Sequence, residues 1–183
     1  MPELKILIVD DEAPARARMR ELLGDIRDEV PNCVVGEAEN GIAAINRLAD
    51  DAPDVVLADI RMPKMDGIEL ARHLATLPNP PAVIFATAYD AYAMQAFDLN
   101  AVDYLLKPVR AARLAAALGK ARMLHPPAPA VLAALQPEGR SHLSCHERGR
   151  LLLVPVADIL YLKADLKYVT ARTREREYLL DES

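Results

Sequence analysis

The chain has 183 residues, 52% of them hydrophobic and 4% aromatic with no tryptophan, so Ala, Val, Ile and Leu must fill its core. A net charge of −5 excludes a globally basic nucleic-acid binder, although residues 1–139 hold 14 basic against 20 acidic side chains while residues 140–183 hold 8 against 7. Cys33 and Cys145 have no metal-knuckle spacing, Glu3 breaks any signal-peptide pattern and no apolar run is long enough to span a bilayer. A reduced, soluble, cytoplasmic chain without a membrane partner is expected.

Five apolar runs are each followed by a helical stretch. KILIV (5–9) precedes a helix over 14–27, where Pro14 suits a first turn. CVVGEA (33–38) precedes GIAAINRLADD, and DVVLAD (54–59) precedes GIELARHLATL. AVIFAT (82–87) precedes AYAMQAFDL, and DYLLK (103–107) precedes an Ala-rich helix to about residue 124. Runs of Val, Ile and Leu without alternation predict strands buried on both faces, as in a parallel sheet covered by helices. The fold class expected for 1–124 is therefore α/β, a five-stranded doubly wound parallel sheet.

Pro126, Pro127, Pro129 and Pro137 mark 125–141 as a linker, with one helical turn at VLAAL. Beyond it, 142–183 changes rhythm. YLKADLKYVTART reads as two strands about a turn, and this tail is the start of an all-β domain, marginal in size for a core of its own.

Strand 1 ends in the adjacent acids Asp10 and Asp11, with Glu12 next, and strand 3 ends in Asp59. In an open parallel sheet ligands sit beyond the C-terminal strand ends, at the switch in strand order, so these three carboxylates should converge. Such a cluster is unfavourable by itself, and a hard divalent cation such as Mg²⁺ resolves it. Thr87 ends strand 4 and Lys107 ends strand 5, adding a hydroxyl and an ammonium to the same rim. Lys107 precedes Pro108, where a cis bond would aim the ammonium inward, although trans is the commoner isomer in general. Singly, each residue reads as a turn, a cap or a solvated charge. Jointly they make a site in which Asp59 attacks phosphorus as a carboxylate nucleophile while Mg²⁺ and Lys107 neutralise the transferring oxygens.

VDDE (9–12), LADIRMPKMDG (57–67), FATAY (85–89) and DYLLKPV (103–109) resemble the flavodoxin-like receiver domain of two-component response regulators. TAYDAYAMQAFDLNAVDYLLKPV (87–109) is similar to receivers that precede a LytTR-type DNA-binding domain, the LytR/AlgR group. LLLVPVADILYLKADLKYVTART resembles the opening strands of that domain. The resemblance implies Asp59 as phosphoacceptor from a histidine kinase and direct Mg²⁺ ligation by Asp11 and Asp59. Asp10 would act through water, and Arg61 would offer its backbone carbonyl. Thr87 and Lys107 would hold the phosphoryl group, Thr87 and Tyr104 would form the switch, and Met62-Pro63 with Asp66-Gly67 would close the loop beneath the site. Arg61 and Tyr89 would tune hydrolysis of the acyl phosphate. A homodimer is implied through the last helix-strand-helix face of the receiver, with Tyr92, Met94, Phe97, Arg110, Arg113 and Lys120 on it.

The resemblance to the DNA-binding domain covers only its first part, so DNA contact by this chain is expected to be weak or absent. Arg148, Arg150, Arg172, Arg174 and Arg176 read as a solvated strand edge rather than phosphate contacts. The chain is expected to act in transcription regulation, with catalysis limited to its own Asp59. A receiver serving only as an interaction module is the alternative. A metal-dependent phosphohydrolase fits less well, because such enzymes carry nucleophile and acid two apart on strand 1, whereas here the acids are adjacent.

Overall fold

The computed structural model describes residues 3–89, 102–123, 141–165 and 168–180. The chain divides into two compact units, Met1–Gln136 and Pro137–Ser183. The segment expected to be a linker falls outside the described residues except for Ser141, as does the whole AYAMQAFDL segment with Tyr92, Met94 and Phe97.

In the first unit, β1 (Leu4–Val9), β2 (Asn32–Ala38), β3 (Val55–Ala58), β4 (Ala82–Thr87) and β5 (Asp103–Leu106) form one sheet in the order β2-β1-β3-β4-β5. Every pairing in it is parallel. β3 and β4 are buried along their whole length, as unbroken apolar runs require, whereas the edge strand β2 is mostly half-buried. The helices are α1 (Ala13–Asp25), α2 (Gly41–Asp51), α3 (Gly67–Leu74) and α4 (Ala111–Met123).

Side chains alternate across the sheet. Ile6, Ile8, Leu57 and Ile84 enter a cluster with Met19, Leu22 and Leu23 of α1 and Leu114 and Leu118 of α4. Leu7, Val9, Val56 and Phe85 are buried on the other face, and α2 packs against α3. Each fully buried aliphatic contributes roughly 1.5–3 kcal/mol relative to exposure, so this two-sided burial holds the strand ends in place. Local chemistry sets the helix starts. Pro14 lies in the first turn of α1, Asn40 caps α2 by accepting from Ala43 N–H at 2.9 Å, and Asp66 caps α3 by accepting from Glu69 N–H at 2.7 Å. α1 starts one residue earlier and ends two residues earlier than its sequence pattern, with Ile26 bonded back to Leu22 O in a closing turn.

In the second unit every described strand pairing is antiparallel, and a short 3-10 turn, Val156–Asp158, separates the hairpin from the sheet. β6 (His142–Glu147) and β7 (Arg150–Pro155) form a hairpin, and β8 (Tyr161–Asp165), β9 (Tyr168–Arg172) and β10 (Glu177–Leu180) form a sheet in the order β10-β9-β8. The β6–β7 turn places Arg148 at φ 51° and Gly149 at φ 76°, the left-handed pair that two-residue hairpins favour. Its core is small: Cys145, Val154, Ala171 and Leu180. On the same face as Ala171 and Tyr178, Leu162 is 55% exposed on β8, which has no second strand partner among the described residues. Arg172 pairs with Glu177 at 3.7 Å, and Arg176 pairs with Glu147 at 3.1 Å while lying over the Tyr178 ring.

Candidate functional site

β1 and β3 are neighbours whose chain connections run to opposite sides of the sheet, so their C-terminal ends open a crevice. The backbone closes it tightly: Asp59 N–H donates to Val9 O at 2.9 Å, and Asp10 N–H donates to Ala38 O at 3.0 Å. Three strand ends are thereby drawn together. Carboxylate oxygens of Asp10, Asp11 and Asp59 lie within 4.8 Å of one another. Asp10 and Asp59 are buried and Asp11 is exposed.

Lys107 enters from β5. Its Nζ donates to Asp10 Oδ2 at 2.6 Å and to Asp59 Oδ2 at 2.9 Å. The remaining oxygens of the two buried acids are also engaged. Asp10 Oδ1 accepts from Glu12 N–H at 2.9 Å, and Asp59 Oδ1 accepts from Ile60 N–H at 2.7 Å. The Lys107–Pro108 peptide is cis. Burial works against the Lys107 ammonium, but hydrogen bonds and attraction from Asp10 and Asp59 outweigh it, and its pKa is held above the ordinary lysine value. Lys107 is thus a fixed cation at neutral pH.

Three carboxylates facing one ammonium leave two negative charges uncompensated, a mismatch that a divalent cation removes. The donor set contains only oxygen atoms, with neither His nor Cys in the cluster, which is the chemistry of a hard ion such as Mg²⁺. A carboxylate beside a fixed cation and a candidate cation site can accept an electrophilic phosphoryl group.

Thr87, fully buried, ends β4, and its backbone carbonyl accepts from Lys107 N–H at 2.9 Å. Its hydroxyl accepts from Tyr89 N–H at 3.4 Å. Tyr104 is buried on β5, and its hydroxyl donates to Tyr89 O. The Arg61 guanidinium lies over the Tyr89 ring, 4.9 Å from the centroid. The residues two after Asp59 and two after Thr87 therefore touch. Gly67 lies so close under Asp59 that a Cβ there would collide with the Asp59 carbonyl, and Gly67 N–H donates to Ile60 O at 2.8 Å.

Asp103, Arg16 and Glu37 escape sequence reasoning. Asp103, nearly inaccessible, accepts from Tyr104 N–H at 2.8 Å and pairs with Arg113 at 3.2 Å and Lys120 at 3.0 Å. These two helix cations, expected on the homodimer face, pair with an acid of their own chain while staying about half exposed. Arg16 donates to Asp10 O at 2.7 Å and to Glu37 at 3.2 Å. The only cue for it in the sequence is a basic residue in the first turn of the helix that follows an acid pair.

A model of the family described as "Response regulator receiver domain" matches residues 6–119. The "Positive alginate biosynthesis regulatory protein" of Pseudomonas aeruginosa is 42% identical over 183 residues, covering 98% of this chain and 73% of that protein. "Sensory transduction protein LytT" of Bacillus subtilis is 31% identical over 185 residues, covering 98% and 73%. Among solved structures, the response regulatory domain of mrkE from Klebsiella pneumoniae superimposes with a TM-score of 0.56 at 32% identity, over 66% of this chain and 96% of that one. The REC domain of AraT, a response regulator from Geobacillus stearothermophilus, gives a TM-score of 0.58 at 35% identity, over 67% and 95%.

Proposed function

Given that this chain belongs to the two-component response regulators of the LytTR (LytR/AlgR) group, a receiver domain followed by an all-β part, we propose that Asp59 accepts a phosphoryl group from a histidine kinase and that the change is relayed to DNA. The reading is carried by one observation: Lys107 Nζ bridges Asp10 and Asp59 at 2.6 and 2.9 Å inside a cluster of three carboxylates.

An Asp59 carboxylate oxygen attacks phosphorus in line with the leaving nitrogen of the kinase phosphohistidine. The new O–P bond gives an acyl phosphate, and the electron pair of the broken P–N bond returns to the imidazole. Lys107, already 2.9 Å from Asp59, follows the developing charge onto a phosphoryl oxygen. Asp10, Asp11, Asp59 and the Arg61 carbonyl would hold Mg²⁺, which when bound neutralises charge on the transferring oxygens. The Thr87 hydroxyl turns from Tyr89 N–H toward the phosphoryl group, and Tyr104 responds through its bond to the same residue. Arg61 and Tyr89, in contact beside the crevice, tune hydrolysis of the acyl phosphate.

The chain works in the cytoplasm as a regulator of transcription, with residues 1–124 as receiver, 125–141 as linker and 142–183 as the first part of a LytTR-type DNA-binding domain. A homodimer through the last helix-strand-helix face of the receiver matches the twofold symmetry of a palindromic DNA site. Catalysis is confined to gain and loss of its own phosphoryl group.

Intact-mass analysis after incubation with Mg²⁺ and acetyl phosphate tests this directly. One added phosphoryl group is expected on the wild type, and none on Asp59→Asn or after chelation by EDTA. Equal labelling of Asp59→Asn would remove Asp59 from its role.

A further inference from the structure

Asp11 is the one member of the acidic trio that is exposed, with no strand around it to hold its direction. Its orientation depends on the Asp10–Asp11 peptide, a rigid plane that carries the Asp10 carbonyl on one side and the Asp11 N–H on the other. The Asp10 carbonyl accepts from Arg16 Nη1 at 2.7 Å. Arg16 is itself anchored, because its Nε donates to Glu37 on β2 at 3.2 Å and its side chain is 19% exposed. Glu37 takes Arg20 as well, so it is saturated with cations and stays in place. On the other side of Asp10, its N–H donates to Ala38 O, the residue after Glu37. The turn carrying both acids is thus clamped to the end of β2 from two directions.

We infer that Arg16 is a positioning residue for the cation site, setting the plane of the Asp10–Asp11 peptide and through it the aim of the Asp11 carboxylate. The planar fork of a guanidinium suits this task, since it reaches a carbonyl and a carboxylate together in one fixed geometry. An ammonium on a flexible stem does not. The inference rests on the reading of the trio as a Mg²⁺ site.

Charge and orientation make opposite predictions here. Arg16 is a cation near an anionic pocket, so by Coulomb's law alone its removal should tighten binding of a second cation. If it acts by orientation, its removal loosens binding, as happens when partners outside the ligand shell are lost, at about tenfold or more in affinity. The experiment is Mg²⁺ titration by isothermal calorimetry on the full chain. It compares wild type, Arg16→Ala, Arg16→Lys and Arg18→Ala, the last removing a cation that pairs with Glu21 on the outer surface of the same helix. The expected result is about tenfold weaker binding for Arg16→Ala and for Arg16→Lys, with Arg18→Ala within twofold of wild type. Arg16→Lys keeps the charge and most of the stem, so it reports on geometry even if the alanine variant unfolds. Wild-type affinity in Arg16→Lys, or tighter binding in Arg16→Ala, would overturn the inference while leaving the Mg²⁺ site standing. No Mg²⁺ binding by the wild type would remove both.

Discussion

At Asp10, four hydrogen bonds meet on one residue. Its N–H is bound to Ala38, its carbonyl to Arg16, one carboxylate oxygen to Glu12 N–H and the other to Lys107. A buried carboxylate without such partners would carry a penalty of several kcal/mol. Asp59 is treated alike, with Ile60 N–H and Lys107 on its two oxygens and Val9 O on its N–H. The cost of close packing around it falls on Gly67, whose missing side chain lets α3 start directly under the Asp59 carbonyl. Gly67→Ala puts a methyl group into backbone that cannot rotate away. The expected loss is at least about 1–3 kcal/mol in urea unfolding, the range for overpacking. Acetyl phosphate labelling of Asp59 should fall with it, because the loop between β3 and α3 must shift to relieve the clash. A Gly67→Ala protein of wild-type stability would show that the approach is looser than these positions indicate.

Elements meet at this site through polar clamps as well as apolar packing. Arg16 and Arg20 of α1 converge on Glu37 of β2, and α4 is tied to β5 by Arg113 and Lys120 on Asp103. Burial raises the Glu37 pKa, but the hydrogen bonds and charges of Arg20 and Arg16 outweigh it, so the folded-state value lies below the ordinary glutamate range. The sign follows. An acid whose pKa is lower folded than unfolded binds fewer protons in the native state, so its stabilisation is present above the unfolded value, about 4.3, and is lost as pH falls through the folded one. Urea unfolding across the acid limb, from about pH 5 downward, is expected to show wild type losing stability more steeply than Glu37→Gln. Parallel curves would mean that the α1–β2 clamp carries no net charge energy.

These clamps also divide what periodicity can reveal from what it cannot. The strands β1, β3 and β4 were legible because unbroken apolar runs have few other uses in a protein of this size, and the acids and lysine at their ends were legible because that topology sends strand ends to one crevice. Asp103, Arg16 and Glu37 were not legible. A polar residue beside a strand or on a helix has the same appearance whether it is solvated or held in an ion pair, and the ion-pair partners lie 10 to 21 residues away. The half-buried edge strand β2 likewise carries Gly36 and Glu37 in a pattern that only its place in the sheet explains.

For the whole molecule, the proposed Mg²⁺ site would link cation binding to folding. A ligand that binds only the folded form stabilises it by mass action, about 2.7 kcal/mol at a hundredfold excess over its dissociation constant, or on the order of 10 °C for a unit of this size. Mg²⁺ should therefore raise the melting temperature of the wild type, with EDTA reversing the effect. Asp11→Asn should behave oppositely in its two states: more stable than wild type without the ion, because one of three crowded negative charges is gone, and barely responsive to it. An equal rise with NaCl at matched ionic strength would reduce the effect to screening. No helix among the described residues is long and apolar enough to cross a membrane.

Sequence alone determined the alternation of buried strands and helices, the change to β structure after the proline-rich stretch, and the placing of Asp10, Asp11, Asp59, Thr87 and Lys107 at strand ends. These are local properties of hydrophobic period and residue chemistry, and each can be read within a few positions. Tertiary structure alone decided that Lys107 bridges two acids 97 and 48 residues distant, that Arg61 lies over Tyr89, and that Arg16 ties the Asp10 carbonyl to Glu37, 21 residues beyond Arg16. Contacts between distant residues depend on strand order, register and the backbone bonds that draw three strand ends together. No stretch of sequence carries that information until the sheet has closed around it.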